Sequence, residues 1–520
     1  CWLILKIIKI QQTNTWTTQL KMFRIFGPPG TGKTTRLLDM VDKALADGIQ
    51  PHQIAFLAFT KKAAREARER ACERFDLSAK DDLVFFQTLH SFGNRLSGLR
   101  NENLMNDEHY RELSTHIGVD LNVRVNEEEE RISSQHPILE LLHLSRARKV
   151  SVRKQYDESN LLVSWTEVSY ITTAFNDYKA ANGLHDFTDM LEVFVEHGAH
   201  LCPHFKICFL DEAQDLSPLQ WDMAHILEDH SDRMYAAGDD DQAIFRWNGA
   251  DVGHLINLPG SSDTLSQSYR VPHRVHALAE TITRRISHRF PKVYEPRDAP
   301  GAIEHLYDLS NLNMDHGSWL ILAHTNYMLS PIDAELKTMG LLFERNHKSS
   351  IKERVAEAVN GWEQLRKNRE VSLHTVKAIY SFMSGNDGRI ARGHKKPKAL
   401  EEELFTLKKL QESHGLLIGA DYIWHDALDK LPPLDREYII AFLRKGERFN
   451  AKPRIQLTTI HQSKGGEADN VVLFSDISPA AAKDIGDDLH RLFYVAVTRT
   501  RNTLYLVGCE NYALSYPLYD

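Results

Sequence analysis

The run Gly27-Pro28-Pro29-Gly30-Thr31-Gly32-Lys33-Thr34 fits the pattern G-x-x-x-x-G-K-[ST] in full. Its chemistry is phosphate binding. Backbone N–H groups of such a loop, and the N-terminus of the helix after it, point at an anion. Lys33 is expected on the β- and γ-phosphates of a nucleotide, Thr34 on Mg²⁺, and Thr35 closes the nucleotide-binding run. A second run, Asp211-Glu212-Ala213-Gln214-Asp215, follows the apolar stretch ICFL. A carboxylate at the end of a parallel strand beside a phosphate loop is where a metal–phosphate complex needs one. Asp211 is expected to hold the Mg²⁺ through oxygen or water, and Glu212 to act as general base for an attacking water. Alone, the run also reads as a helix N-cap with an acidic first turn; its pairing with the phosphate loop favours the metal reading. Cys202, His204 and Cys208 form a weaker group. Cys208 lies inside the apolar stretch, so zinc is not expected there.

The elements that must position these residues follow from periodicity. Phe23–Phe26 is a short apolar run ending at Gly27, and Leu37, Leu38, Val41 and Leu45 then share one helical face. Further strands are expected at Ile54–Phe59, Val84–Phe86, Ile207–Leu210 and Met234–Ala237, and a charged helix at Lys61–Arg74. A second set covers Trp319–Ala323, Ile455–Ile460, Val471–Phe474 and Leu504–Val507, with strand or helix at Ile332–Met339. Strands alternating with helices argue for parallel α/β sheets. The intervening residues 96–199 and 350–449 read as mostly helical. The expectation is two α/β lobes, each with one helical insertion. The acidic run Glu127–Glu130 reads as a solvated face. The run Arg389–Lys398 (RIARGHKKPK) reads as a duplex-contacting loop or a solvated one.

Composition bounds the partners. The 520 residues carry 63 Lys and Arg against 71 Asp and Glu, a net charge of −8. Nucleic acid cannot be held by bulk charge here, only by local basic surface. Five cysteines form no paired framework, which favours a reducing compartment. No run of apolar residues is long enough to span a membrane. Residues 1–21 begin CWLILKIIKI without a cleavage signal, and Met22 directly precedes the first strand. Met22 is therefore expected to be the natural start, with residues 1–21 extraneous or disordered.

Further segments, in chain order, complete a resemblance. They are Ala58-Phe59-Thr60-Lys61-Lys62-Ala63-Ala64, Thr88-Leu89-His90-Ser91-Phe92 and Leu184–Met190; then Gly238–Ala250 with Gln242, Phe245 and Trp247; then Leu265–Arg270, Thr459–Glu467 and Arg491–Arg499. With the DEAQD run they resemble the UvrD/Rep-type superfamily 1A DNA helicases, as a compact member. The resemblance implies two RecA-like lobes of the P-loop NTPase class. Residues 22–95 and 200–265 would form the first, with 96–199 inserted; 266–349 and 450–520 would form the second, with 350–449 inserted. It implies ATP bound between the lobes. Gln242 would sense the γ-phosphate, Tyr269 stack on the base, Arg270 and Arg499 reach the γ-phosphate from the second lobe, and Glu467 contact the ribose. Phe59, Thr60, Lys62, His90, Phe245, Trp247 and His461 would contact single-stranded DNA. Stacking on aromatics tolerates any base sequence, although Phe59 and Trp247 also read as core aromatics.

The resemblance further implies an ATP- and Mg²⁺-dependent helicase moving 3′ to 5′ on single-stranded DNA and at junctions, in the cytoplasm or a host-cell cytoplasm, alongside replication or repair proteins. A protein-stripping translocase and a nucleotide-gated DNA-binding scaffold are the alternatives. Eleven residues follow Cys509, so a C-terminal nuclease is not expected. Three departures stand out: Asn248 where the family usually has Arg, Gly466 where it has Leu, and no matching adenine-reading segment around Gln12.

Overall fold

The computed structural model describes residues 22–126, 131–134, 136–386, 388–397, 403–509 and 511–519. Residues 1–21 and the run Glu127–Glu130 lie outside these, and with them the expectations placed there. The chain divides into two compact units. The first takes the chain up to His273, then Glu280–Ala299 and Gly486–Val495; the second takes Arg274–Ala279, Pro300–Ile485 and Ala496–Asp520.

The first unit is built on six strands: β1 (Met22–Phe26), β2 (Ile54–Ala58), β3 (Phe86–Thr88), β4 (Phe205–Leu210), β5 (Ser231–Gly238) and β6 (Ser262–Thr264). Their order is β3-β2-β4-β5-β1-β6, and every pair is parallel. Neighbouring side chains in a strand leave on opposite faces. Ile25, Phe56 and Phe209 accordingly join one core with Leu37, Leu38 and Val41, while Phe26, Leu57 and Leu210 join another with Trp221 and Phe92. Burial on both faces explains why these strands read as unbroken apolar runs. In register, Phe26 lies opposite Gly238 and Leu210 opposite Ala236. Gly27, Asp211 and Asp239, the next residues along, therefore leave the sheet at one edge. That edge, the carboxyl ends of parallel strands, is where open α/β sheets bind ligands.

The first insertion has its own core, where Tyr110, Leu113, Ile138, Leu142, Ile171 and Phe175 pack from the helices Asp107–Ile117, Pro137–Ala147 and Trp165–Asn182. It also carries an antiparallel pair, Val123–Asn126 with Arg131–Ser134, that periodicity did not foresee.

The second unit holds β7 (Ala302–Leu306), β8 (Trp319–Ala323), β9 (Phe343–Arg345), β10 (Lys348–Ser349), β11 (Ile455–Thr459), β12 (Ala468–Phe474) and β13 (Thr500–Val507). The order is β7-β13-β12-β8-β11-β9-β10, parallel except for β9 with β10. The segment Ile332–Met339 is helical, within Leu329–Thr338. Its insertion packs Trp362, Ile379, Phe405, Trp424 and Phe442 into a separate core. Both units are α/β with parallel sheets, as expected. The strand Gln267–Pro272 pairs with Glu295–Arg297 and lies within the first unit. Among the described residues no helix is long and apolar enough to cross a membrane.

Candidate functional site

The phosphate loop connects β1 to the helix Lys33–Ala46. Gly27 N donates to Gly238 O at 2.9 Å, and Thr31 Oγ1 to Pro28 O at 2.8 Å, which closes the loop on itself. Gly30 and Gly32 take φ of 72° and 75°, a left-handed backbone that glycine adopts without a steric cost. A Cβ on Gly30 would also stand 2.4 Å from the Arg270 Cβ. No side chain caps the helix, so its first N–H groups stay available to an anion.

Lys33 and Asp211 meet at this edge. Lys33 Nζ lies 3.0 Å from Glu212 Oε1. Burial works against its charge, but Glu212, Asp211 and Asp239 outweigh that and hold the ammonium above its ordinary pKa. Thr34 Oγ1 donates to Asp211 Oδ2 at 2.8 Å. Burial, with Glu212 alongside, holds Asp211 above the usual carboxylate range despite Lys33 and the Thr34 hydroxyl. A buried carboxylate short of positive charge beside a hydroxyl is a hard-oxygen pair that fits Mg²⁺, with phosphate and water as the remaining ligands. Among the described residues no three His, Cys, Asp or Glu side chains form a metal site on their own. His204 instead bonds Asp232 at 2.7 Å, and burial pushes the Cys208 thiol up.

Gln214 carries the contact that the motif reading left unassigned. Its Nε2 donates to Glu212 Oε2 at 2.5 Å, and its Oε1 accepts from Asp239 N at 2.9 Å. A Cβ on Gly238 would stand 2.5 Å from that Oε1, so a larger residue there would push the Gln214 amide out of place. Gln242 Nε2 donates to Asp239 Oδ2 at 2.6 Å. A continuous hydrogen-bonded chain thus runs Glu212–Gln214–Asp239–Gln242. Gln214 stands inside the DEAQD run, but nothing in the run itself says which way its amide faces.

Tyr269 and Arg270 lie on the strand Gln267–Pro272, over the loop. Tyr269 N donates to Gly30 O at 2.8 Å, Ser268 Oγ to Pro29 O at 2.7 Å, and Tyr269 is 72 % exposed. Both lie within the first compact unit.

Beyond Gln242 the chain reaches an aromatic row. Phe59 stacks on Phe245 at 5.7 Å between centroids, and Phe245 meets Trp247 edge-on at 6.2 Å. Phe59 lies one residue past the end of β2 and is half-buried; Trp247 is 51 % exposed. Thr60 caps the helix Lys61–Phe75, accepting from Ala63 N at 3.2 Å. His90 is half-buried in the first turn of Leu89–Ser97, and the Lys62 side chain lies outside the described set.

The remaining expected residues are in the second unit. Arg499 is buried and donates from Nη1 to Gly466 O at 3.2 Å, and Glu467 pairs with Arg501. Burial, then His324 and Lys464, push His461 down to about 4, so it is neutral at pH 7. The basic run 389–398 is partly turned inward. Arg389 lies over the Tyr422 ring at 4.5 Å, Lys395 donates to the carbonyls of Tyr380 and Met383, and Lys398 is outside the described residues.

The family model for the UvrD/REP helicase N-terminal domain matches residues 9–261, and that for the UvrD-like helicase C-terminal domain matches residues 455–507. The chain is similar to a probable DNA helicase II homolog of Mycoplasma genitalium, 25% identical over 302 residues, covering 50% of this chain and 40% of that one. It is similar to the ATP-dependent DNA helicase PcrA of Leuconostoc citreum, 24% identical over 289 residues, covering 52% and 38%. A probable DNA helicase of Mycoplasma pneumoniae is 23% identical over 383 residues, covering 68% and 70%. The chain thus spans about two fifths of the length of the first two relatives.

Proposed function

Because the chain belongs to the UvrD/REP-type DNA helicase family, whose two domain matches together cover more than half of it, we propose that it is an ATP- and Mg²⁺-dependent helicase that translocates on single-stranded DNA. The chain Glu212–Gln214–Asp239–Gln242 is the observation that carries this reading. It joins the hydrolytic end of the site to the segment bearing Phe245 and Trp247, three and five residues on.

ATP with Mg²⁺ supplies the phosphoryl group whose transfer to water drives the cycle. The loop N–H groups and Lys33 hold the phosphates. Thr34 and Asp211 hold the metal. Glu212, kept in place by Lys33 and Gln214, takes the proton of the attacking water. Gln242 reports the γ-phosphate to its own segment. Tyr269, exposed above the loop, offers its ring to the base. Phe59, Phe245 and Trp247 offer π-faces to unstacked DNA bases, and His461 offers a neutral donor. Arg499 is assigned to the γ-phosphate and Glu467 to the ribose by family resemblance, as are the 3′ to 5′ direction and the preference for junctions.

The test is ATPase with and without single-stranded DNA, beside unwinding of 3′- and 5′-tailed duplexes. Turnover stimulated by DNA, unwinding of the 3′-tailed substrate, and loss of both in Lys33→Ala with DNA binding retained are expected. Stimulation without unwinding would point to a protein-stripping translocase. DNA binding without turnover would point to a scaffold.

A further inference from the structure

Two basic residues outside both family matches lie against the phosphate-sensing segment. Asp239, Asp240 and Asp241 are fully buried in succession. The Lys292 side chain is 1% exposed and sets Nζ 3.1 Å from Asp239 Oδ1, 2.6 Å from Asp240 Oδ1 and 2.7 Å from Asp241 Oδ2. Arg289 grips Asp241 from another side, Nε to Oδ1 at 2.9 Å and Nη2 to Oδ2 at 2.6 Å. Between them, Phe290 N donates to Asp240 Oδ2 at 2.7 Å. The Phe290 ring stacks at 4.0 Å on Phe26, the last residue before the phosphate loop.

Charge and hydrogen bonding together give Lys292 a task. Three buried carboxylates face two cations, and Arg289 is committed to Asp241. Lys292 is the cation paired with Asp239, whose other oxygen, Oδ2, accepts from Gln242 Nε2 at 2.6 Å. An ionised carboxylate only accepts, so it dictates that the amide turns its nitrogen inward. Without Lys292, Asp239 would lose the cation paired with it directly, and Lys33 would be left to offset its buried charge. Its side chain would then be released to turn away, and the amide would lose its fixed orientation. The same Asp239 anchors Gln214 through its N–H, so a shift there also reaches Glu212.

We propose that Lys292 is a positioning residue for ATP hydrolysis: by pairing with Asp239 it fixes the amide of Gln242, the phosphate sensor. The inference rests on the ATP-hydrolysis reading above. Lys292→Met removes the charge and keeps much of the side-chain length. DNA-stimulated kcat and KM for ATP, affinity for a fluorescent ATP analogue, and thermal unfolding are measured for wild type and variant. Mispositioning is expected to lower kcat by about 10²-fold, with analogue affinity little changed, because Lys292 is directed at the carboxylates. In a Gln242→Ala background, Lys292→Met is expected to cost no further kcat, since both changes remove one chain of contacts. A purely structural role would instead lower kcat by the same factor in both backgrounds. Equal losses, an unchanged kcat, or a loss of affinity matching the loss of turnover would each overturn the proposal. Should Lys292→Met not fold, Lys292→Met with Asp240→Asn removes one charge of each sign and carries the same test. If that pair also fails to fold, Lys292 is a folding residue and the proposal falls. No ATP turnover in wild type would remove the functional reading and the relay with it; wild-type turnover with an unaffected Lys292→Met removes the relay alone.

Discussion

Glu212 sits at φ 57° and ψ 39°, a left-handed backbone that non-glycine residues seldom adopt. Such a conformation costs on the order of 1–2 kcal/mol. It is held in place by the Asp211 Oδ1 that accepts its N–H at 2.9 Å, by Lys33 and by Gln214. The strained turn would let Asp211 and Glu212, adjacent in sequence, take the different tasks proposed for them. Glu212→Gln keeps the shape and removes the carboxylate proposed as base. Hydrolysis measured in single turnover should fall by about 10²–10⁴-fold, while affinity for an ATP analogue persists. Wild-type turnover in that variant would remove Glu212 as base. At this scale the placement of the loop between β1 and its helix was legible, because one run of adjacent residues shapes it. Lys292 was not. RFPK reads as surface basic sequence, and its partners lie about fifty residues upstream.

Among elements, the segment Gln242–Trp247 and the helix Pro137–Ala147 each make a testable demand. Trp247 is half-exposed and touches Phe245 edge-on, so it is not a core aromatic. Trp247→Ala should leave the melting temperature and DNA-free ATPase near wild type. It should weaken the grip on single-stranded DNA by about 1–3 kcal/mol, roughly 5- to 150-fold. A melting temperature that fell together with every activity would return Trp247 to the core. On the helix, burial pushes His143 down to about 4, against the pull of Asp186 and Asp189 and with Arg146 and Lys179 close by. Its Nδ1 lies 3.3 Å from Thr188 Oγ1. The folded chain binds this proton less readily than the unfolded chain does. Stability should therefore fall as pH drops from about 6.5 toward 4, by up to ~3 kcal/mol. His461 in the second unit shifts with the same sign. Denaturant midpoints followed from pH 7 to 4.5 should decline, and less steeply in His143→Gln; identical slopes would assign the loss to other groups. Legibility at this scale tracked burial. β2 and β4, covered on both faces, stood out as apolar runs. The edge strand β6, Ser-Asp-Thr, has no apolar signature and is recognisable only by its pairing with β1. β3 falls two residues later than the run Val84–Phe86 suggested, because its second half is Gln-Thr.

For the whole molecule, the consequential fact is that the first unit is discontinuous in sequence. A fragment ending at Leu265 keeps all six strands of its sheet but lacks Arg289, Lys292 and Arg491. Leaving buried carboxylates without their partners costs about 3–5 kcal/mol, a large share of the roughly 5–15 kcal/mol that domains have. That fragment should melt without a cooperative transition and bind hydrophobic dye, and extension through Ala299 should restore much of the transition. A sharp melt in the shorter fragment would show that the cations are dispensable for folding. During synthesis the same interleaving becomes waiting time. Arg491 Nε donates to Asp240 O across 251 residues of sequence. At about 5–20 residues per second a ribosome needs roughly 12–50 s to deliver it. For that interval the nascent first unit is exposed to chaperones and proteases with its acidic segment still missing a partner.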